Sequence, residues 1–375
     1  MKPDFIFQYE PEIKSEDIAA VNEYLQSGGF ITEFKKTREF ENLIASFCDV
    51  QETIIFPNGT LTLYAILRQL NIGLGSKVVV PNYTMAATAF SVIETGAEVI
   101  FCDIEWPSLC LSKVHLQEII ENEKGNISAI MFVSANGRFP SYGIDELVEI
   151  CQDQNIFLIE DSAQALGSYY RDGKHIGSKG IAGSISFSMP KIITTGQGGA
   201  VISNDRKLSD NLKKYRDFGR SSGGGSDWHE MVGLNMKYTD YQAVLGISQL
   251  IRLNSTIKIK KENFKLINDS IDNQYVSLLP NNIKFTTPWF YEIITDYQED
   301  FMNWLKKNNI GCRVMYPELN KQKAFHNHKQ FNSIFKNSNK ISKKGVWIPS
   351  HPKLKKNDIE HIISVINKFK PNVQI

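Results

Sequence analysis

Residues 77–103 read KVVVPNYTMAATAFSVIETGAEVIFCD. The stretch holds a short apolar run, KVVVP (77–81), a helical segment from Met85 to Glu94, and a second run, EVIFCD (98–103). Apolar runs without polar alternation are strands covered on both faces, and a helix between two of them makes a parallel pair. The pattern extends to either side. TIIF (53–56), AIMFVS (129–134) and IFLIED (156–161) are further runs, and Leu61–Leu70, Val114–Ile120 and Gly143–Gln152 lie between them. The expected architecture is α/β, with a large, mainly parallel sheet.

Beyond this unit the pattern tightens. SYYRDGKHIG (168–177), GSISFSM (183–189) and GGAVIS (198–203) read as closely spaced strands between glycines. A helix is expected from Arg206 to Phe218, then a flexible loop, GRSSGGGSDW (219–228), then a long helical stretch from Thr239 to Ile267. Two helices precede the first strand. Ser15 is the expected N-cap of one, with Ile18, Val21, Tyr24 and Leu25 at helical spacing, and the other runs from Lys36 to Cys48. We expect a large domain over 1–250 and a smaller α+β domain over 251–375. The smaller one should hold strands near Trp289–Ile294 and Gly311–Met315 and end in a helix, Asp358–Phe369.

Composition narrows the function. The chain has 375 residues, 42% of them hydrophobic and 22% charged, so it can bury a core and is not disordered. Its 42 basic and 41 acidic residues nearly cancel, which argues against a nucleic-acid partner. No apolar run approaches the roughly 20 residues that span a bilayer, so no membrane partner is expected. MKPDFIFQYEPE (1–12) carries no secretory-leader pattern. Five cysteines, at 48, 102, 110, 151 and 312, show no C-x-x-C spacing. They read as reduced thiols in a cytoplasmic protein, with no metal site.

Three strand ends carry residues capable of chemistry. Asn58-Gly59-Thr60 opens a helix, where free amides, the helix dipole and a hydroxyl suit a phosphate. Asp161 ends an apolar strand, and Gln164 follows three residues later. Lys191 follows Pro190 between SFSM (186–189) and two isoleucines, with Gly196, Gly198 and Gly199 nearby. Apolar surroundings disfavour an ammonium and leave an amine free for Schiff-base chemistry. Singly, these also read as a plain N-cap, a turn-capping acid and a solvated charge. Together, a phosphate cradle, an acid for a ring nitrogen and a dry lysine are what pyridoxal 5'-phosphate (PLP) requires.

At this level of detail the sequence resembles the DegT/DnrJ-type aminotransferases, PLP enzymes of the aspartate-aminotransferase fold (fold type I) that act on nucleotide-linked keto-sugars. The resemblance runs from about Ser15 to Phe369. It rests on NGT (58–60), PNYTMAATAFSVIETGAEVIFCDI (81–104), EDSAQALGS (160–168), SFSMPKIITTGQGG (186–199), GLNMKYTDYQAVLGISQL (233–250) and KKGVWIPSHPKL (343–354). The wording around Lys191, DFGR (217–220) and GVWIPS (345–350) is most similar to the GDP-perosamine synthase branch.

The resemblance implies a seven-stranded sheet with PLP at its strand ends, and L-glutamate and a nucleotide-linked keto-sugar as partners. Lys191 would be the Schiff-base lysine and proton shuttle, and Asp161 would pair with the ring nitrogen. Gln164 would lie at the phenolic oxygen, and Gly59, Thr60 and Ser186 at the phosphate. Asn235 would reach the phosphate of a neighbouring subunit, which implies a homodimer with shared sites. Tyr83, the 27–32 turn and Arg313 would line the sugar-nucleotide cleft. Some positions depart from the family's pattern, among them Phe34, where many members have a second glycine in the 27–34 turn, and Gln197 in TGQGG, where TGEGG is commoner. Met85 stands where an aromatic usually stacks on the cofactor, and Asn320 where many members carry a histidine near the substrate.

Three rivals are weaker. The related sugar dehydratases carry histidine in place of Lys191. A dinucleotide oxidoreductase needs G-x-G-x-x-G after its first strand, and Gly73-Leu74-Gly75 instead precedes a strand. A non-catalytic regulatory homologue would not need Lys191, Asp161 and Thr60 intact.

Overall fold

A computed structural model describes residues 4–32, 35–221 and 227–372. Phe34 and residues 222–226, the glycine run of the predicted loop, lie outside the described residues.

Helices α1 (Ser15–Gln26) and α2 (Lys35–Cys48) precede a sheet whose strands alternate with helices. In chain order these are β1 (Glu52–Phe56), α3 (Gly59–Gln69), β2 (Lys77–Pro81), α4 (Ala86–Ile93), β3 (Glu98–Cys102), α5 (Lys113–Glu123), β4 (Ala129–Val133), α6 (Ile144–Asp153), β5 (Phe157–Asp161), β6 (Ala182–Ser186) and β7 (Gly199–Ser203). The sheet has seven strands in the order β1-β7-β6-β5-β4-β2-β3. All pairs among β2 to β6 are parallel, and β7 runs antiparallel to both its neighbours. The expected α/β class and mainly parallel sheet are therefore present.

The pleat explains why β2, β3 and β4 are apolar beyond their first residues. Val78 and Val80 of β2 pack with Phe56, Phe101 and Met131 on one face, while Val79 packs with Ile100, Ile130 and Phe132 on the other. Strand order reverses between β4 and β2, and ligands of open α/β sheets bind at such a reversal, beyond the carboxyl ends of the strands. Pro81–Met85, Ser134–Arg138 and Asp161 leave the sheet there.

After β7 come α7 (Arg206–Arg216), α8 (Asp240–Ile251) and α9 (Leu253–Ser270). A second, antiparallel sheet of order β10-β11-β9-β8 follows, made of β8 (Val276–Leu278), β9 (Tyr291–Thr295), β10 (Arg313–Val314) and β11 (Gly345–Ile348). Its helices are α10 (Gln298–Lys307), α11 (Lys336–Lys344) and α12 (Lys356–Asn367). Phe264, Tyr291, Phe301, Leu305 and Ile362 form its core, and Ile6 from the start of the chain joins them. The two sheets meet through Asp103, which follows β3. Its carboxylate accepts the amides of Asn337 and Ser338 (both 2.9 Å) in the first turn of α11.

Four local expectations need correction. The stretch 239–267 is two helices that break at Arg252, whose guanidinium is drawn to the buried Asp17 of α1 (both bonds 2.5 Å). Segment 168–177 holds a single bridge, Tyr169 to His175, where strand structure was expected. The chain there wraps around the buried Glu160, which accepts the amides of Gly177 (2.8 Å), Lys179 and Gly180 (both 2.6 Å) and the Tyr170 hydroxyl. The strand at 311–315 shrinks to Arg313–Val314, because the Gly311 amide donates to Ile6 O (2.7 Å). Finally, Ser15 is the first residue of α1, and Asp17 takes the capping role on the Lys14 amide (2.9 Å).

Candidate active site

Asp161 is the last residue of β5 and is 6% exposed. It accepts the Thr88 hydroxyl of α4 (2.7 Å) and the Ala163 amide (3.2 Å). Burial pushes its pKa up, and Thr88, the Ala163 amide and the Lys191 cation pull it back. This carboxylate is short of positive partners, and a protonated ring nitrogen would supply one. Gln164 lies on the turn that follows, and its Oε1 accepts the Asn136 amide (2.7 Å), which leaves its NH2 to donate.

Lys191 closes a tight turn, with its amide donating to Ser188 O (3.0 Å). As a residue it is half-buried, but its amine end is enclosed. Desolvation is the largest influence on it and lowers its pKa to about 8, against the opposing pull of Asp161. Its Nζ sits 4.0 Å from the centroid of the Trp289 indole. The strand after the turn, β7, must pass close to the start of α3. A Cβ on Gly199 would lie 2.6 Å from the Asn58 carbonyl carbon, so only glycine fits.

That approach builds the phosphate end. The Asn58 side chain accepts the Leu61 amide (2.9 Å) and caps α3, so the Gly59 and Thr60 amides lie in the unpaired first turn. A Cβ on Gly59 would sit 3.2 Å from Ser186 Cβ, so the missing side chain leaves a cradle between Ser186 and the helix. Ser186 Oγ meets Ser188 Oγ at 3.2 Å. Thr60 is exposed at the helix end, where its hydroxyl is open to a ligand.

The remaining predicted residues fall into three groups. Tyr83 is buried and packs edge-on to Tyr316 (5.7 Å). Arg313 is exposed, lies 4.7 Å over the Trp347 ring, and is close enough to both tyrosines to oppose the upward push of burial on their hydroxyls. The structure thus gathers Tyr83 and Arg313 on one aromatic wall. Met85 is 54% exposed at the start of α4, open on its outer side. Asn235 is exposed beside its Asp217 bridge, on the surface of its own chain.

Asn320 has a different task from the one expected. It is fully buried. Its Oδ1 accepts from Asn82 Nδ2 (2.9 Å), and its own Nδ2 donates to the carbonyls of Gln330, Phe331 and Ser333. Its amide is committed to pinning the 320–333 segment to the end of β2, so it is not free for a substrate.

Several residues at the site escaped the sequence reading. Thr88 carried a weak signal, since it stands in the first turn of the helix that follows β2; its hydroxyl meets that of Thr84, which precedes the helix, at 3.1 Å. Trp289, Tyr316 and Asn136 carried none, because each arrives from a distant segment.

The residues fit PLP: an enclosed amine, a buried acid in no ion pair among the described residues, and a glycine-floored cradle at a helix N-terminus. On this strand order they place the molecule among the PLP-dependent aminotransferases. Its lineage is narrower. Residues 11–367 match the model of the DegT/DnrJ/EryC1/StrS aminotransferase family, and the chain belongs to that family. Among curated relatives it is similar to a GDP-perosamine synthase of Escherichia coli O157:H7, 29% identical over 97% of this chain and 98% of the relative. It is also similar to a UDP-4-amino-4,6-dideoxy-N-acetyl-beta-L-altrosamine transaminase of Campylobacter jejuni, 28% identical over 96% of each. Among solved structures it is similar to an aminotransferase from Psychrobacter cryohalolentis, with a TM-score of 0.88 and 26% identity, covering 96% of this chain and 98% of that one.

Proposed function

We propose that this chain moves the amino group of L-glutamate to a nucleotide-linked keto-sugar, with C4 of GDP-4-keto-6-deoxymannose as the acceptor. The observation that carries the reading is the enclosed Lys191 amine facing the buried Asp161 carboxylate at the strand ends. Bound PLP supplies an electron sink beside the reacting carbon of the substrate. Lys191, with its pKa brought to about 8, takes a proton from the donor's carbon and returns one to the acceptor, so it works as base and then acid. Asp161 holds the ring nitrogen's proton, Gln164 orients the ring, and Gly59, Thr60 and Ser186 hold the phosphate. Arg313, on its aromatic wall beside Tyr83, offers a cation to the carboxylate or diphosphate of the substrate.

Similarity to the perosamine synthase favours a GDP-linked acceptor. The altrosamine transaminase, at nearly equal identity, makes a UDP- or dTDP-linked keto-sugar the second reading. Incubation with glutamate and a panel of GDP-, dTDP- and UDP-linked 3-keto and 4-keto sugars, read by mass spectrometry, decides between them. Amination of the GDP-linked 4-keto sugar alone is the expected result, and no amination of any sugar would sink the reading.

A homodimer with shared sites belongs to the same proposal. Phe30 (67%), Ile31 (59%), Val232 (86%) and Ile251 (82%) are exposed, as is Asn235. A second copy would cover these apolar side chains and bring its Asn235 to the phosphate. Sedimentation equilibrium should give twice the chain mass. No helix among the described residues is long and apolar enough to cross a membrane.

A further inference from the structure

We propose that Trp289, anchored by Lys260, is a positioning residue that roofs the Lys191 amine and fixes the turn carrying it. The geometry has three parts. The first is the turn itself. Pro190 has no amide to donate, so the turn has few internal bonds, chiefly Lys191 N to Ser188 O. Two consecutive carbonyls of this turn are gripped from outside it. Trp289 Nε1 donates to Pro190 O (2.6 Å), and the Tyr9 hydroxyl donates to Lys191 O (2.6 Å). Both donors come from segments remote in sequence.

The second part is the roof. The Trp289 ring is 6% exposed, stacks on Phe290 (3.8 Å, 23°) and meets Trp347 edge-on (5.9 Å). Its face toward the site covers Lys191 Nζ. An indole held there excludes water, and exclusion of water is what disfavours the charged form of the amine. The cavity shared by Lys191, Gln164, Ser186, Lys260 and Trp289 is about 10 Å³, room for about one water.

The third part is the anchor. Lys260 of α9 is 2% exposed, and among the described residues no carboxylate pairs with it. Its Nζ donates to Trp289 O (3.1 Å) and Ser350 O (2.5 Å). Two hydrogen bonds offset part of the cost of burying this lysine, and they tie the backbone of Trp289 to the segment after β11. The charged and titratable groups around the lysine turn are Asp161 from β5, Lys260 from α9, Tyr9 and Glu12 from the N-terminal segment, and Arg252 between α8 and α9.

The test uses the full chain stripped of cofactor. Reductive methylation with formaldehyde and cyanoborohydride, from about pH 6 to about pH 10, is read at Lys191 by peptide mass spectrometry. The wild-type rate should be half-maximal near pH 8. Lys260→Met should move that midpoint up by about one pH unit, as water reaches the amine. Lys260→Arg should hold it near the wild-type value. Trp289→Phe keeps an aromatic cover and Lys260 itself but loses the grip on Pro190 O. It should move the midpoint the same way by about half as much, so the shift is not a through-space effect of Lys260. A wild-type midpoint in folded Lys260→Met overturns the proposal. Should that variant not fold, a wild-type midpoint in Trp289→Phe does so.

Discussion

Two lysines of this chain lie close to one cavity, and they are held in opposite ways. Desolvation lowers both, Lys191 to about 8 and Lys260 to about 7. Lys260 gives its donors to two backbone carbonyls. Lys191 faces a ring at 4.0 Å and a carboxylate at longer range, neither of which occupies its lone pair when it is neutral. Burial alone therefore does not mark a reactive amine. The environment that leaves the nitrogen uncommitted marks it, and a low pKa is shared by a tie and a nucleophile alike.

The contrast can be broken most sharply at Lys191 itself. Lys191→Ala should reduce transamination by at least about 10³-fold, since base and nucleophile go together. Formation of 2-oxoglutarate from glutamate measures it, and near-normal turnover would mean that another amine does the chemistry. Asp161→Asn comes next, with a fall of about 10²-fold, because a preorganised charge disappears while the shape stays. Its melting temperature should stay near that of the wild type, which separates chemistry from folding. Thr88→Val removes one hydrogen bond to that carboxylate, and a loss of about 10-fold in rate is expected.

The smallest effect concerns stability. Both lysines have folded pKa values below the ordinary lysine value near 10.5, so the unfolded chain binds more protons between about 7 and about 10. Stability contributed by these groups therefore rises with pH across that window and is lower at its acid end. Urea unfolding at the two ends of the window should show the rise, and Lys260→Met should flatten it. An equal slope in that variant would mean that Lys260 titrates alike in both states.

Much of the fold was legible because the central strands β2, β3 and β4 are apolar on both faces, so runs such as KVVVP announce themselves. Lys191 and Asp161 were legible for a local reason too: Asp161 ends an apolar run, and Lys191 stands between apolar and small residues. The break at Arg252 was not, because its cause is Asp17, over 200 positions away in sequence. The same holds for Trp289 and Tyr9, which reach the lysine turn only through tertiary packing. Asn320 shows the converse failure. Its sequence position suggested a ligand contact, while its real partners, Asn82 and three carbonyls, could be seen only in the fold.

The neighbours Glu160 and Asp161 carry one last consequence. Adjacent on β5, they face opposite sides of the pleat, and one ties a loop while the other serves the site. A slip of β5 by one residue would put Glu160 where Asp161 stands and Ile159 where Glu160 stands, aiming the longer acid at the cofactor and leaving three amides without an acceptor. The alignment of β5 with β4, Asp161 beside Val133, is thus a condition of catalysis as much as of stability.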